Sequence, residues 1–157
     1  MKKYLLNLFL LLVGFAIGII YMIYQCGYIL ETTKKRSDKY FKYFNLLDKW
    51  LLRKEQNENF FDFLKQNGIK SVAIYGMGKI GKHLKHELEK EGIQVQFVID
   101  EGENVIHQED EHYNLRDKLP LTDVVIVTPI DEFEEVKGRI LNNNKFLKVI
   151  SVEEFIK

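Results

Sequence analysis

The chain has a single cysteine, Cys26, so no disulfide can form within it, and cysteine usage says nothing about compartment. Charge is missing from Tyr4 to Leu30, a stretch of 27 residues of which 22 are hydrophobic. Glycine and proline are missing from Glu31 to Gln66, so nothing obvious interrupts a helix there. Net charge is missing too, at +0, but the balance is uneven along the chain. Residues 1–30 carry +2, residues 31–70 carry +4 and residues 71–157 carry −6. The acidic C-terminal part argues against nucleic-acid binding, which needs a basic footprint. With the apolar stretch and the connector after it set aside, about 100 residues remain for a soluble fold, too few for a nucleotide domain plus a substrate domain. A self-sufficient two-domain dehydrogenase is excluded.

About 20 apolar residues at 1.5 Å rise span the roughly 30 Å hydrocarbon core of a bilayer. Residues 1–30 therefore read as a transmembrane anchor, whose run from Tyr4 to Leu30 is interrupted only by Asn7, Gln25 and three glycines. A cleaved signal peptide is the rival, with Lys2 and Lys3 as its basic end and Ala16-Ile17-Gly18 as a cleavage spacing. The apolar run from Ile19 to Tyr24 continues past that point, which favours the anchor. Lys34, Lys35, Arg36, Lys39 and Lys42 outweigh Lys2 and Lys3, so the C-terminal side is expected to be cytoplasmic and the membrane the plasma membrane. Tyr24 and Tyr28 suit the interface on that side, and Cys26 serves as an apolar filler near it. Gly14 and Gly18 have the GxxxG spacing that lets two helices approach, although glycine is common in membrane helices anyway.

Residues 31–56 read as a helical stalk. Tyr40, Phe44, Leu47 and Leu51 alternate spacings of four and three, the seam of a short coiled coil, broadened by Phe41, Tyr43 and Trp50. A dimerising stalk, a helix packed on its own domain and a helix lying on lipid all fit this pattern. The basic residues suit anionic headgroups as well as the positive-inside rule. A break is expected at Gln56–Glu58, then a short helix Asn59–Gln66 closed by Asn67-Gly68, placing the domain at 57–157.

The informative stretch is Val72-Ala73-Ile74-Tyr75-Gly76-Met77-Gly78-Lys79-Ile80-Gly81-Lys82. A buried-type strand is followed by GxGxxG at Gly76, Gly78 and Gly81. A helix then shows Ile80, Leu84 and Leu88 on one face and ends at Gly92. The second strand, Val95–Ile99, ends in Asp100, 19 residues after Gly81. In a dinucleotide fold the first glycine makes the turn, the second admits the pyrophosphate and the third lets helix pack on strand. An acid at Asp100's position accepts from ribose hydroxyls. The fold class expected is α/β, a Rossmann-like three-layer parallel sheet. Gly76, Met77, Gly78, Lys79, Ile80, Gly81, Asp100, Thr128 and Pro129 are the candidate cofactor-binding residues. Asp100 and Glu101 would repel a 2′-phosphate, so NAD is preferred to NADP. Lys79 and Lys82 lie in the first helical turn, where they fit phosphate contact or plain exposure.

Val124–Val127 reads as a central strand ending at Thr128-Pro129. A helix over Asp131–Leu141, a last strand Phe146–Ile150 and a capping-box turn from Ser151 to Glu154 complete the pattern, with a short strand near Val105-Ile106. His83 and His86, and His107 and His112 around an acidic loop, lack the spacing of a metal site, and no metal is expected. Tyr75 and Lys79 have YxxxK spacing but straddle the glycine loop, so they carry no catalytic geometry. No Ser-His-Asp or Cys-His arrangement is present, and no catalytic residue is assigned.

Trp50-Leu51, Phe60-Phe61 followed by Gly68, and above all Ile74 to Gly81 resemble a group of short membrane-anchored bacterial proteins of capsular and exopolysaccharide biosynthesis clusters. The similarity continues through Asp100, Val127-Thr128-Pro129 and the N-terminal apolar helix. The C-terminal part also looks like the nucleotide-binding module of membrane-bound nucleotide-sugar epimerases and dehydratases. This resemblance implies NAD or a nucleotide sugar as ligand, polysaccharide-biosynthesis enzymes as partners, and an accessory or regulatory role, since the enzymes' catalytic domain is missing here. The alternatives are a minimal NAD-dependent epimerase or oxidoreductase, with a proton-transfer group near Thr128 or in residues 101–122, a ligand sensor like those regulating potassium transport, and a tether with an empty loop. Homodimerisation through Gly14/Gly18 and residues 40–51 is compatible with the leading reading.

Overall fold

The computed structural model describes residues 2–56, 61–101 and 111–155. The expected break at residues 57–58, the start of the short helix at Asn59-Phe60, the strand near Val105-Ile106 and His107 all lie outside them. The chain forms two compact units, Met1–Lys42 and Tyr43–Lys157. The first is helical throughout its described length, as part of α1 (Lys2–Glu55), and its apolar side chains from Tyr4 to Leu30 face outward. It is long and apolar enough to cross a membrane. Its run of outward leucines, phenylalanines and isoleucines is what a lipid-facing helix requires and what a solvent-facing one avoids.

The second unit is α/β. Its five strands, β1 (Ser71–Tyr75), β2 (Gln94–Ile99), β3 (His112–Tyr113), β4 (Val124–Val127) and β5 (Val149–Ser151), form one sheet in the order β3-β2-β1-β4-β5. Every pairing is parallel. Full burial of β4 and of Val72–Tyr75 follows from coverage on both faces, which a parallel sheet with crossover helices imposes. Alternation along the strands sorts the core in two. Val72, Ile74, Val98 and Ile126 pack on one side with α2 (Asp62–Gln66) and α3 (Lys79–Lys90). Ala73, Tyr75, Val125 and Val127 pack on the other with α4 (Phe133–Asn143).

Two local devices set the spacing of these elements. Gly68 and Gly92 have φ of 66° and 74°, and each follows a helix whose last turn closes in the same way. Ile69 N–H bonds to Leu64 O and Ile93 N–H to Leu88 O, both at 2.9 Å, while the glycine amides reach Lys65 O and Glu89 O at 3.1 Å. This is the Schellman arrangement, and it drops buried Ile69 and Ile93 onto Leu64 and Leu88. At the amino edge of the sheet, Asp123 accepts from the amides of Lys70 and Ser71 at 2.9 Å each and from Ser71 Oγ at 3.0 Å. These donors hold its carboxyl below the usual carboxylate range and tie the start of β1 to that of β4.

Several boundaries differ from the sequence reading. The last strand is Val149–Ser151 rather than Phe146–Ile150, because Leu147 N–H turns back to Asn144 O at 3.2 Å and leaves Phe146 98% exposed. The helix expected from Asp131 begins as a 3₁₀ turn, Ile130–Glu132, and becomes α-helical at Phe133. The second strand starts one residue early, at Gln94. The expected capping box at Ser151 is present: Ser151 Oγ accepts from Glu153 N–H, and Glu154 Oε1 accepts from Ser151 N–H.

The largest difference concerns the stalk. Helix α1 runs to Glu55, and its last turns belong to the compact unit that starts at Tyr43, ahead of Asn57. Tyr43, Leu46 and Trp50, at spacings of three and four, form the face packed into the core on the α3 side, with Leu46 and Trp50 buried at 4% and 6% exposure. The seam residues Phe44, Leu47 and Leu51, rotated by about 100° from that face, stay exposed. Lys54 Nζ bonds to Glu87 Oε1 of α3 at 2.6 Å and fixes the register of the same segment. Replacing Trp50 by alanine is expected to destabilise the fold by about 3–5 kcal/mol. Leu51→Ala, on the outward face, changes it by less than about 0.5 kcal/mol. Urea unfolding of the detergent-solubilised chain checks the pair, and equal costs would contradict the packing described.

Candidate functional site

The strand order reverses between β1 and β4, and ligands of open α/β sheets bind outside the carboxyl ends of strands at such a reversal. Gly76-Met77-Gly78 leaves the carboxyl end of β1, Thr128-Pro129 that of β4 and Asp100 that of β2. The sheet thus brings the sequence-predicted residues to one edge.

The loop is held from three directions. Gly76 N–H donates to Ile99 O at 2.9 Å. Thr128, 4% exposed, sends its N–H to Tyr75 O at 3.0 Å, while its Oγ1 donates to Gly76 O at 2.7 Å and lies 3.2 Å from Tyr75 O. Met77 N–H donates to Asp100 Oδ2 at 2.8 Å. One oxygen of the carboxylate expected on a ribose therefore braces the glycine loop instead. Gly78 then caps α3 and accepts from Lys82 N–H at 3.1 Å.

The three glycines are not equivalent. A Cβ on Gly76, whose φ is +88°, would meet Thr128 Oγ1 at 2.8 Å, and one on Gly81 would stand 2.2 Å from Gly76 O. Both positions are dictated by the protein's own packing. Gly78 has an ordinary φ of −66°, and a Cβ there would meet nothing within 4 Å. Nothing inside the fold explains its lack of a side chain. Its neighbours Lys79 and Ile80 open the helix, and first-turn amides have no acceptor within the helix itself. Lys79 and Lys82 are exposed, whereas Met77 and Ile80 are buried and anchor the loop from below. Open space above a helix N-terminus, edged by two lysines, is a place where an anion is favoured.

Sequence reasoning missed a second group at this edge. Tyr75 points to the α4 side, and its hydroxyl lies 3.3 Å from Glu101 Oε2. Arg139 of α4 grips both oxygens of Glu101, with Nη1 at 3.0 Å from Oε2 and Nη2 closing on Oε1. The two partners are 38 residues apart, and no local pattern announces such a pair. Burial, with the Glu101 charge beside it, pushes the Tyr75 phenol up to about 12. Tyr43, in the C-terminal part of α1, brings its hydroxyl to 3.4 Å from Thr128 O and is the other residue not foreseen at the site.

Among the described residues no group of three or more His, Cys, Asp or Glu could hold a metal ion, and His83 and His86 are exposed on α3. Two clefts lie elsewhere. One of about 470 Å³ is lined by Lys118, Leu119 and Asn142–Leu147 near the amino edge of the sheet, and one of about 230 Å³ by Trp50, Lys54, His83 and Glu87. Neither borders Gly78. No family model matches the chain, and neither curated proteins nor solved structures give a match.

Gly81→Ala is expected to destabilise the fold by about 1–3 kcal/mol or more through its backbone clash. Gly78→Ala costs at most about 1 kcal/mol, the difference between the two residues at an N-cap. Thermal unfolding of the two variants separates them. Tyr75 adds a pH signature. Between about pH 10 and 12 the unfolded chain releases a phenol proton that the folded chain keeps, so stability falls with rising pH by roughly 2 kcal/mol across that window. Tyr75→Phe removes that part of the alkaline slope in parallel urea titrations, and an unchanged slope would contradict the assignment.

Proposed function

We propose that this chain is a membrane-tethered, Rossmann-like module whose glycine loop binds the pyrophosphate of a nucleotide. The observation that carries the reading is Gly78: a glycine with ordinary backbone angles and open space above it, between two glycines that the fold itself requires. A pyrophosphate approaching the backbone is the chemistry that excludes a side chain at that point of the GxGxxG pattern. Lys79 and Lys82 beside it, and the start of α3 beneath, supply positive potential. NAD and a nucleotide sugar are the ligand classes considered. Arg139 offsets the charge of Glu101, so discrimination against a 2′-phosphate falls mainly to Asp100.

The biological setting rests on the resemblance to membrane-anchored proteins of surface-polysaccharide biosynthesis. The chain acts there as an accessory or regulatory subunit beside the pathway's enzymes, anchored in the plasma membrane by residues 1–30 with the α/β unit in the cytoplasm. The Thr128 hydroxyl proton points into the loop backbone, which favours a binding role over proton transfer from that residue. Gly14/Gly18 and the outward seam Phe44, Leu47 and Leu51 are the surfaces for a homodimer. The acidic unit has no role on nucleic acid.

The full chain in detergent, titrated calorimetrically with NAD and with UDP-glucose, tests the reading. Saturable binding by at least one ligand is expected, with a loss of about tenfold or more in Gly78→Ala and complete loss in Gly78→Asp. Binding of unchanged affinity in a folded Gly78→Asp variant would sink the site assignment.

A further inference from the structure

The carboxyl edge of the sheet is unequal on the two sides of the reversal. A dinucleotide lies across such a point with one nucleoside over each half of the sheet. On the β1 side, Gly78 leaves the edge open. On the β4 side, the first residue past the strand is Thr128, whose hydroxyl is drawn down onto Gly76 and whose carbonyl oxygen faces the Tyr43 hydroxyl at 3.4 Å. Tyr43 is half-buried and packs against the same core as α3. It is not free to swing away. Leu46 and Trp50, one and two turns further along the helix, are buried at 4% and 6% exposure, and Lys54 is paired with Glu87 at 2.6 Å. Moving the Tyr43 backbone means withdrawing both apolar anchors from the core, which leaves their sites empty at a cost to stability.

Resting on the nucleotide reading above, we propose that the crevice takes a single nucleoside diphosphate, free or carrying a sugar, and rejects a dinucleotide. Tyr43 stands over the carboxyl end of β4, where the second nucleoside of NAD would lie. A planar base with its ribose needs a slot of aromatic dimensions there, and Tyr43, whose hydroxyl reaches Thr128 O, narrows it. A terminal phosphate or a hexose lacks a base with its ribose and does not need a slot of that size, so it does not compete with the ring. The last turns of α1 thus do the work of a second wall, which in a two-domain enzyme a separate domain supplies.

Calorimetric titration of the full chain in lipid nanodiscs with UDP, ADP, UDP-glucose and NAD tests this. The better nucleoside diphosphate is expected to bind at least about tenfold more tightly than NAD. The ratio of UDP to UDP-glucose affinity tells a free diphosphate from a sugar ester. Tyr43→Ala is expected to narrow the gap to NAD by about tenfold, and Tyr43→Phe, which keeps the ring, to preserve it. NAD binding as tightly as the best diphosphate in the unmodified chain overturns the proposal, whether or not the alanine variant folds. An unchanged ratio in folded Tyr43→Ala overturns it as well. The two readings fail separately: tight NAD binding that Gly78→Asp abolishes keeps the loop site and removes only the Tyr43 wall. No binding by any of the four in a folded chain removes both.

Discussion

The hydrogen bond from Thr128 Oγ1 to Gly76 O, 2.7 Å long and part-buried, joins the two strands between which the sheet reverses. It explains why Gly76 can carry no side chain and why Thr128 is among the few buried polar residues. With Gly76 O fixed, Gly81 must also be bare, because the first turn of α3 passes directly against that oxygen. Asp100 completes the frame by taking the Met77 amide. Three strand ends are therefore tied to one loop, and the loop's outer surface is set as firmly as the core beneath it. A loop held in place in this way need not be ordered at the moment a ligand binds, which would cost affinity.

The sequence carried this frame in readable form because its parts are local. The apolar run Val72–Tyr75, the glycine spacing and the four-residue repeat of Ile80, Leu84 and Leu88 each occupy a short window, and the structure has a strand, a turn and a helix there. Val124–Val127 was equally plain, since only a strand covered on both faces is apolar throughout. What escaped was set at long range. Two apolar stripes run along residues 40–51, and periodicity alone cannot say which one faces the core. The packing uses Tyr43, Leu46 and Trp50 and leaves the seam outward. The Arg139–Glu101 pair and the Tyr43–Thr128 contact join residues 38 and 85 apart, beyond any motif. Phe146 misled for a different reason: an aromatic beside a strand reads as part of it, and a turn at Asn144 moved it into the open. Asp100 lies at the end of β2 as expected, and its Oδ2 takes the Met77 amide, a contact that position in the sequence does not show.

The end of α1 links the two levels of the molecule. Its buried face contributes to the core, Lys54 holds α3, and Tyr43 reaches the loop after β4. A segment that would otherwise be only a spacer is part of the folded unit and of the candidate site. Any change in the site that pushes on Thr128 acts on Tyr43 through a direct contact. The apolar seam Phe44, Leu47 and Leu51 beside it stays outward.

The most direct measurement of the central claim is made on the glycines themselves, of which the chain has 10. With the full chain labelled at glycine nitrogen and titrated with UDP in detergent, the amide resonances can be followed one by one. The account predicts that Gly76, Gly78 and Gly81 shift together and saturate at one ligand concentration, while Gly14, Gly18, Gly27 and Gly138 stay in place. Shifts confined to glycines outside the loop, or none in a folded chain across this ligand and ADP, would contradict it.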